Sequence, residues 1–415
     1  MTVKNILDEV LKENKPGRKE SAKVKRTVDE FISKIKERNR KLGYDVEIML
    51  GGSVAKGTFI SGKFDSDIFF RFSREYPDEK LSDMLGSIIS PFRPRLSRIH
   101  GSRDYFQLRY KSVDFELVPV YRITKPWQAV NVTDASPLHV KWIKKNLKKK
   151  LRDDIILAKM FCRAQEVYGA ESYIKGFSGH VIDILVIHYG SFLNLLQKAE
   201  KWKQKTVIDV MGHGKCLSKS KTSGPLVVID PVQPDRNAAA ALSREKFNKF
   251  KNAARNFLKK PSKDFFRKKE LSLRELKEKA GENRLIIVNV TANKGKEDVV
   301  GCRLLKGFQY LNKCLKKHDF HVLDSGWMWD RKTKCLYWFI IEDKELSKNK
   351  VWTGPPLKSK EHVVAFKKKY KCTFVNGKRI CAEVKREFRS PEKLLNACFS
   401  EPYMKTKARC KIAKS

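Results

Sequence analysis

The segment Gly51-Gly52-Ser53-Val54-Ala55-Lys56-Gly57-Thr58 stands shortly before Asp65-Ser66-Asp67. These residue types suit phosphate and metal chemistry. Glycine lets the backbone come close to a ligand. A helix that starts at such a turn offers unpaired N–H groups to a phosphate. Ser53 and Lys56 add a hydroxyl and a positive charge. Asp65 and Asp67 are two positions apart, so on a strand they face the same side. Paired carboxylates repel each other unless a cation lies between them. Hard ions such as Mg²⁺ bind that arrangement together with substrate phosphates. Nucleotidyl transfer uses these parts, with one metal at the attacking hydroxyl and another at the triphosphate. A third carboxylate is expected from a neighbouring strand. Asp114 and Glu116, in Val113-Asp114-Phe115-Glu116-Leu117-Val118-Pro119, have the same parity, so alternation does not choose between them.

Each piece alone has an ordinary reading, since Gly-Ser turns connect elements and Asp-x-Asp occurs on solvated strands. Their order and closeness make the combination far more specific. A P-loop does not fit. Gly212-His213-Gly214-Lys215-Cys216 lacks the earlier glycine and has no Ser or Thr after the lysine.

The elements that must carry these residues follow from periodicity. Residues 18–42 read as an amphipathic helix, 45–50 as a strand ending at the Gly-Gly turn, and 64–72 as the strand bearing both aspartates. Two strands follow over 105–121, broken at Lys111-Ser112. Pro119 marks the end of the second or a place near an edge. Helical patterns cover 151–168 and 179–203, a strand covers 225–230, and Ser243 caps a helix reaching about 259. Beyond residue 270 the pattern gives strands at 284–290, 336–341, 372–375 and 379–385, with helices at 301–317 and 360–370. Asn376-Gly377 signals a hairpin. Basic runs at 144–152 and 259–269 suggest boundaries, giving a catalytic head over 1–145, a mainly helical central domain over 146–270 and a C-terminal α/β region over 271–415. The fold class is α/β, with several domains.

The chain has 415 residues and a net charge of +42, which favours a polyanionic partner and argues against a small neutral metabolite as the sole ligand. Its 41% hydrophobic content supports real cores and argues against wholesale disorder. No apolar run has the length of a membrane span, and the first residues lack the apolar core of a signal peptide. Nine scattered cysteines without a CxxC pair fit reduced thiols and a cytoplasmic location.

The Gly-Ser turn and Asp-x-Asp together resemble the polymerase-β nucleotidyltransferase superfamily. The resemblance narrows along the chain. Asp134-Ala135-Ser136-Pro137-Leu138-His139-Val140-Lys141-Trp142, Val167-Tyr168-Gly169-Ala170-Glu171, Gly176-Phe177-Ser178-Gly179, Tyr189-Gly190-Ser191-Phe192, Thr206-Val207-Ile208-Asp209 and Asp230-Pro231 followed by Arg236-Asn237 are similar, in order, to the archaeal class I CCA-adding enzymes. The likeness is strong over about 45–270. It is weaker beyond, at 338–350 and Gly354-Pro355-Pro356, and the final segment looks shortened.

That resemblance implies a polymerase-β-type head with a mixed sheet, a helical central domain and an RNA-binding C-terminal region. It implies template-independent transfer of C, C and A from CTP and ATP to a tRNA 3′ end, with two Mg²⁺ ions and pyrophosphate as product. It implies Asp65, Asp67 and Glu116 as metal ligands, with Glu116 where the family usually has Asp and Asp114 as the alternative. It assigns nucleotide contacts to Gly52, Ser53, Lys56, Ser136, His139, Lys159, Tyr168 and Arg236. Lys56 stands where the family often has Arg, and Ser136 where it has Thr. A mid-helix lysine such as Lys159 must snorkel or meet an anion. Lys159 and Tyr168 share a face only if the helix ends before Tyr168.

Two further signals are set aside. Lys306-Gly307-Phe308-Gln309-Tyr310 partly mimics an RNA-recognition strand but fits a helical face better. Cys314, His318, His321 and Cys335 are too irregularly spaced for a zinc set. The competing functions are a related nucleotidyltransferase, such as a poly(A) polymerase or oligoadenylate synthase-like enzyme, and a catalytically silent RNA-binding protein. The sequence leaves a homodimer open, and no membrane partner is expected.

Overall fold

The structure, a computed structural model, describes residues 2–62, 65–214, 217–268 and 272–413, without the side chains of Asp65 and residues 93–95. The expected strand start at Phe64, and Lys215 and Cys216 of the rejected P-loop, lie outside the described residues. The chain forms two compact units, Met1–Lys269 and Glu270–Ser415.

The first unit opens with α1 (Val3–Asn14) and α2 (Arg18–Leu42). Next come β1 (Val46–Leu50), α3 (Gly52–Lys56), β2 (Asp65–Phe72), α4 (Leu81–Ile88), β3 (Leu96–Ile99), β4 (Tyr105–Tyr110) and β5 (Val113–Tyr121). These strands form one mixed sheet of order β1-β2-β5-β4-β3, in which β2 and β5 run parallel. Alternation divides its faces. Ile68, Phe70 and Phe72 of β2 and Phe115 and Leu117 of β5 bury against Val24, Val28, Phe31 and Ile35 of α2 and Leu81, Leu85 and Ile88 of α4. The opposite face carries Phe69, Val118 and Val120, and beyond them the acidic positions.

The unit continues with α5 (Ser136–Asn146), α6 (Leu151–Ala164), α7 (Gly179–Tyr189), α8 (Phe192–Ala199), β6 (Thr206–Asp209), β7 (Leu226–Ile229) and α9 (Arg244–Lys259). They enclose a second core, rich in phenylalanine, in which Phe161 packs among Phe192, Phe250, Phe257 and Phe266. Leu7 and Val10 of α1 join this second core. Ser243 caps α9, accepting from Lys246 N.

Two elements depart from expectation. The helix expected over 179–203 is two helices, α7 and α8, bent by 94°. Gly190 ends the first at φ +78°, and Ser191 caps the second, so an αL residue followed by an N-cap overrides continuous apolar periodicity. The strand bearing Pro119 is interior and runs on to Tyr121. Pro119 is tolerated because β4 pairs only as far as Leu117. On the side where Pro119 lacks an N–H, Tyr121 two residues later donates its own N–H to Asp134 Oδ1. That side is locally an edge.

The second unit comprises α10 (Leu273–Ala280), β8 (Arg284–Ala292), α11 (Glu297–Lys317), β9 (Val322–Trp329), β10 (Lys334–Ile341), β11 (Asn349–Pro356), α12 (Lys360–Lys369), β12 (Thr373–Asn376), β13 (Arg379–Lys385), α13 (Pro391–Ser400), α14 (Pro402–Lys407) and β14 (Ala408–Ile412). An antiparallel sheet of order β14-β8-β10-β9 packs on α11 and α13 through Val288, Tyr337, Phe339, Leu304, Leu311 and Leu395. A smaller sheet of order β11-β13-β12 contains the Asn376-Gly377 hairpin. Lys306–Tyr310 lies within α11, so that stretch is helix and not an RNA-recognition strand.

Candidate active site

The Gly-Gly turn is pressed against β2. Gly51 donates its N–H to Asp67 O at 2.7 Å. Gly52 has φ +66°, and a Cβ there would lie 2.8 Å from Asp67 Oδ2. Only glycine meets both conditions. The turn opens α3, which presents Ser53 and Lys56 one helical turn apart.

The register of β2 and β5 sets the acidic positions side by side. Asp67 pairs with Glu116, and residue 65 pairs with Asp114. In-register residues of neighbouring strands share a face. Glu116 is half-buried, and its Oε1 accepts from Gln107 Nε2 at 2.9 Å. Asp114 is exposed, with Arg109 Nε at 3.8 Å. Glu116 is thus the carboxylate beside Asp67. Two neighbouring strands presenting carboxylates on one face make an all-oxygen donor set, the chemistry a hard divalent ion requires.

Beside Asp67 opens a cavity of about 530 Å³, a size suited to a nucleotide-sized ligand. Its walls include Asp67 and all of Gly52, Ser53, Lys56, Ser136, His139, Lys159, Tyr168 and Arg236. Glu116 is not among the lining residues. The walls combine α3 and β2 from the first core with α6 and α7 from the second.

Each wall has a physical cause. Ser136, His139, Val140 and Ile143 form one stripe of α5. The start of α5 is fixed by Asp134, which is fully buried. Its carboxylate accepts from Tyr121, Val130 and Asn131 N–H groups and from Arg103 Nη1 at 2.7 Å. Lys159 is buried on α6 and meets its anion there. Its Nζ donates to Thr58 Oγ1 at 3.0 Å and lies 3.8 Å from Asp183 Oδ1. Lys56 pairs with the other oxygen of Asp183. One buried carboxylate thus serves two lysines. For Lys159 burial outweighs Asp183, and its pKa falls to about 8. For Lys56 burial also opposes the charge, but the negative charge of Asp183, with its hydrogen bond and the charge of Asp67, overcomes this and raises its pKa. Burial likewise disfavours the Asp183 carboxylate, yet the two lysines hold its pKa below the usual value. The helix of Lys159 ends at Ala164, and Tyr168 bridges to Phe177, so both side chains reach one cavity. Arg163 lies over the Tyr168 ring at 4.4 Å.

Asp230 organises the far wall. His139 Nε2 lies 3.0 Å from its Oδ1, and Arg236 Nη1 donates to its Oδ2 at 2.8 Å. Val232 and Gln233 donate their N–H groups to Oδ1 at 2.9 and 3.1 Å. Burial would raise this carboxyl's pKa, but the close contacts of His139 and then His180 hold it far below the ordinary range. Burial lowers the pKa of His139. The neutral imidazole therefore donates its Nε2 proton to the carboxylate.

The sequence did not mark His180, Asp183 or Arg163 as site residues, yet all three border the cavity or its lysines. An aspartate within the apolar run 181–196 was the available signal, since a buried carboxylate needs cationic partners. The residues weighed as a zinc set do other things. His318 Nδ1 lies 3.0 Å from Cys314 O, His321 faces Glu342, and Cys335 is in the core.

The chain matches three family models: a nucleotidyltransferase domain over 32–159, a tRNA nucleotidyltransferase second domain over 153–267, and a CCA-adding enzyme C-terminal domain over 283–405. A CCA-adding enzyme of Methanocaldococcus jannaschii is 30% identical over 94% of this chain and 89% of its own length. Another, from Nanoarchaeum equitans, is 38% identical over 82% of this chain and 83% of its own length. The solved structure of Cid1, described as having RNA terminal uridylyl transferase activity, superposes with a TM-score of 0.50 at 13% identity, covering 65% of this chain and 99% of that one. This last likeness concerns the fold alone.

Proposed function

The chain belongs to the family of CCA-adding enzymes, and from that premise we propose how its cavity serves the reaction. The protein is a nucleotidyltransferase that adds CCA to tRNA. In our reading it takes CTP and ATP, binds the triphosphate in the cavity beside Asp67, and receives the tRNA 3′ end on the side of Glu116. The observation that carries this reading is the gathering of all the sequence-assigned nucleotide residues around one cavity that Asp67 also lines.

Asp67 and Glu116, with Asp65, would hold Mg²⁺. Bound there, Mg²⁺ would supply Lewis-acid stabilisation of charge on the attacking and leaving oxygens. The protein's own residues do the rest. Lys56 and Lys159 place two ammonium groups against the triphosphate, and Ser53 and the α3 N–H groups add donors. Arg236, braced by Asp230, reads the base edge. The 3′-hydroxyl oxygen bonds to the α-phosphorus as the bond to the β-phosphate oxygen breaks. Pyrophosphate leaves and the hydroxyl proton passes to solvent.

The test uses Mg²⁺, CTP, ATP and tRNA transcripts ending before CCA, after C and after CC. Each transcript is expected to extend to CCA and stop. An open-ended run of A would instead favour a poly(A) polymerase-like enzyme, and no incorporation on any transcript a silent RNA-binding protein.

A further inference from the structure

We infer that His139, His180 and Asp230 form a second cation site inside the cavity, suited to Zn²⁺ and chemically distinct from the Mg²⁺ carboxylates. One donor atom from each residue lies within 4.8 Å of the others. His139 Nε2 is 3.0 Å from Asp230 Oδ1, and His180 Nε2 is 3.4 Å from Asp230 Oδ2. Zinc bonds of about 2.0–2.1 Å in a tetrahedron place neighbouring ligand atoms about 3.3–3.4 Å apart. Two imidazoles and one carboxylate select a borderline ion such as Zn²⁺, whereas Mg²⁺ prefers oxygen.

A second observation points the same way. His180 Nε2 is buried and lies 3.4 Å from Asp230 Oδ2, too poorly aimed for a good hydrogen bond. A buried nitrogen whose only contact is long and misaligned is incompletely satisfied, and a cation in front of it removes that cost. The two rings stand 4.5 Å apart and tilted by 48°, so both converge on the carboxylate without stacking. Asp230 is already braced by Val232 N, Gln233 N and Arg236, the kind of outer support that orients a ligating carboxylate. Arg236 also opposes an added positive charge, so the site is weaker than a closed structural zinc site. Three protein ligands leave a fourth position for water.

His139 and Arg236 would hold nucleotide in the reading above. On that reading, zinc at Asp230 and nucleotide exclude each other, and Zn²⁺ inhibits by competing with CTP.

Calorimetric titration of Zn²⁺ into the full chain tests the site. Any zinc taken up by thiols would be a background common to every variant. With excess Mg²⁺ present to occupy the carboxylates, the wild type and Asp67→Asn are expected to bind the same number of Zn²⁺ equivalents, and His180→Gln one fewer. His180 lies at the cavity wall, so this change leaves the buried Asp230 turn in place. An unchanged count in His180→Gln, or a loss in Asp67→Asn, overturns the site. At matched free Zn²⁺, saturating CTP is expected to weaken that equivalent at least ~tenfold, about 1.4 kcal/mol. If CTP binds and zinc affinity does not change, the placement within the nucleotide cavity is overturned. If CTP does not bind at all, the nucleotide reading fails, while the zinc count still decides the metal site.

Discussion

Asp67 answers to three neighbours at once. Its backbone carbonyl receives Gly51, its carboxylate faces Gly52, and its strand partner is Glu116. Asp67→Ala is expected to abolish nucleotide incorporation, because it removes a ligand of the catalytic metal, while tRNA binding stays within a few-fold. A primer-extension assay beside a filter-binding assay checks both. Unchanged turnover would remove Asp67 from the site. Glu116→Gln should match that loss and Asp114→Asn should cost far less, because only Glu116 stands beside Asp67. Steady-state kcat for the pair decides the assignment. Lys159 gives a pH prediction. Its pKa of about 8 means that it loses its charge just above neutrality, so kcat/KM for CTP should fall as the pH rises through about 8. Lys159→Arg, charged at all these pH values, should lack that limb. The stability sign is opposite. The unfolded chain holds this proton up to the ordinary lysine value of 10.5, so the lysine costs stability below about pH 8 and the cost fades towards 10.5. At this scale the sequence was informative about types and uninformative about partners. Two-residue spacing identified the carboxylates, but only strand register separated Glu116 from Asp114. The anion that Lys159 required was Asp183, a residue distant in sequence.

Helix α7 shows what one element contributes. It reads as apolar core, yet His180 and Asp183, three apart, place a polar stripe against the cavity and its lysines. Asp183→Ala would leave two buried ammonium groups without their anion, a loss of about 3–5 kcal/mol. Urea unfolding should show it, and Asp183→Glu should recover much of it. The bend after Gly190 depends on the Ser191 cap, so Ser191→Ala should cost about 1 kcal/mol, read from the same unfolding curves. Elements with strong local signals were legible in advance. Among them are α2, capped by Gly43, and α9, capped by Ser243. The helices α13 and α14 open on Ser390-Pro391 and Pro402 and β9 pairs with β10 in a hairpin, but the strands β11 and β14 carried no local signal. They are defined by long-range pairing, as when β14 completes a sheet along β8, and periodicity does not register a partner so far along the chain.

Across the whole molecule, charge separates two kinds of binding. In the proposed reading the +42 excess would meet a polyanion by releasing counterions, whereas the cavity would hold a small ligand with a few buried groups. Raising salt from 50 to 200 mM should therefore weaken tRNA affinity by about 10³-fold or more if many phosphates are contacted, and CTP affinity much less. Parallel salt titrations of the two ligands would show the difference. Equal slopes would mean that the surface charge has another use. The cavity has one more property at this scale. Its walls come from two separate apolar cores, and what joins them there is polar: Lys56 on Asp183 and Lys159 on Thr58. A nucleotide lodged between them would act as a removable rivet. Each round of catalysis would fasten the two cores and then release them. Calorimetric melting should therefore be sharper and more nearly all-or-none with CTP than without it.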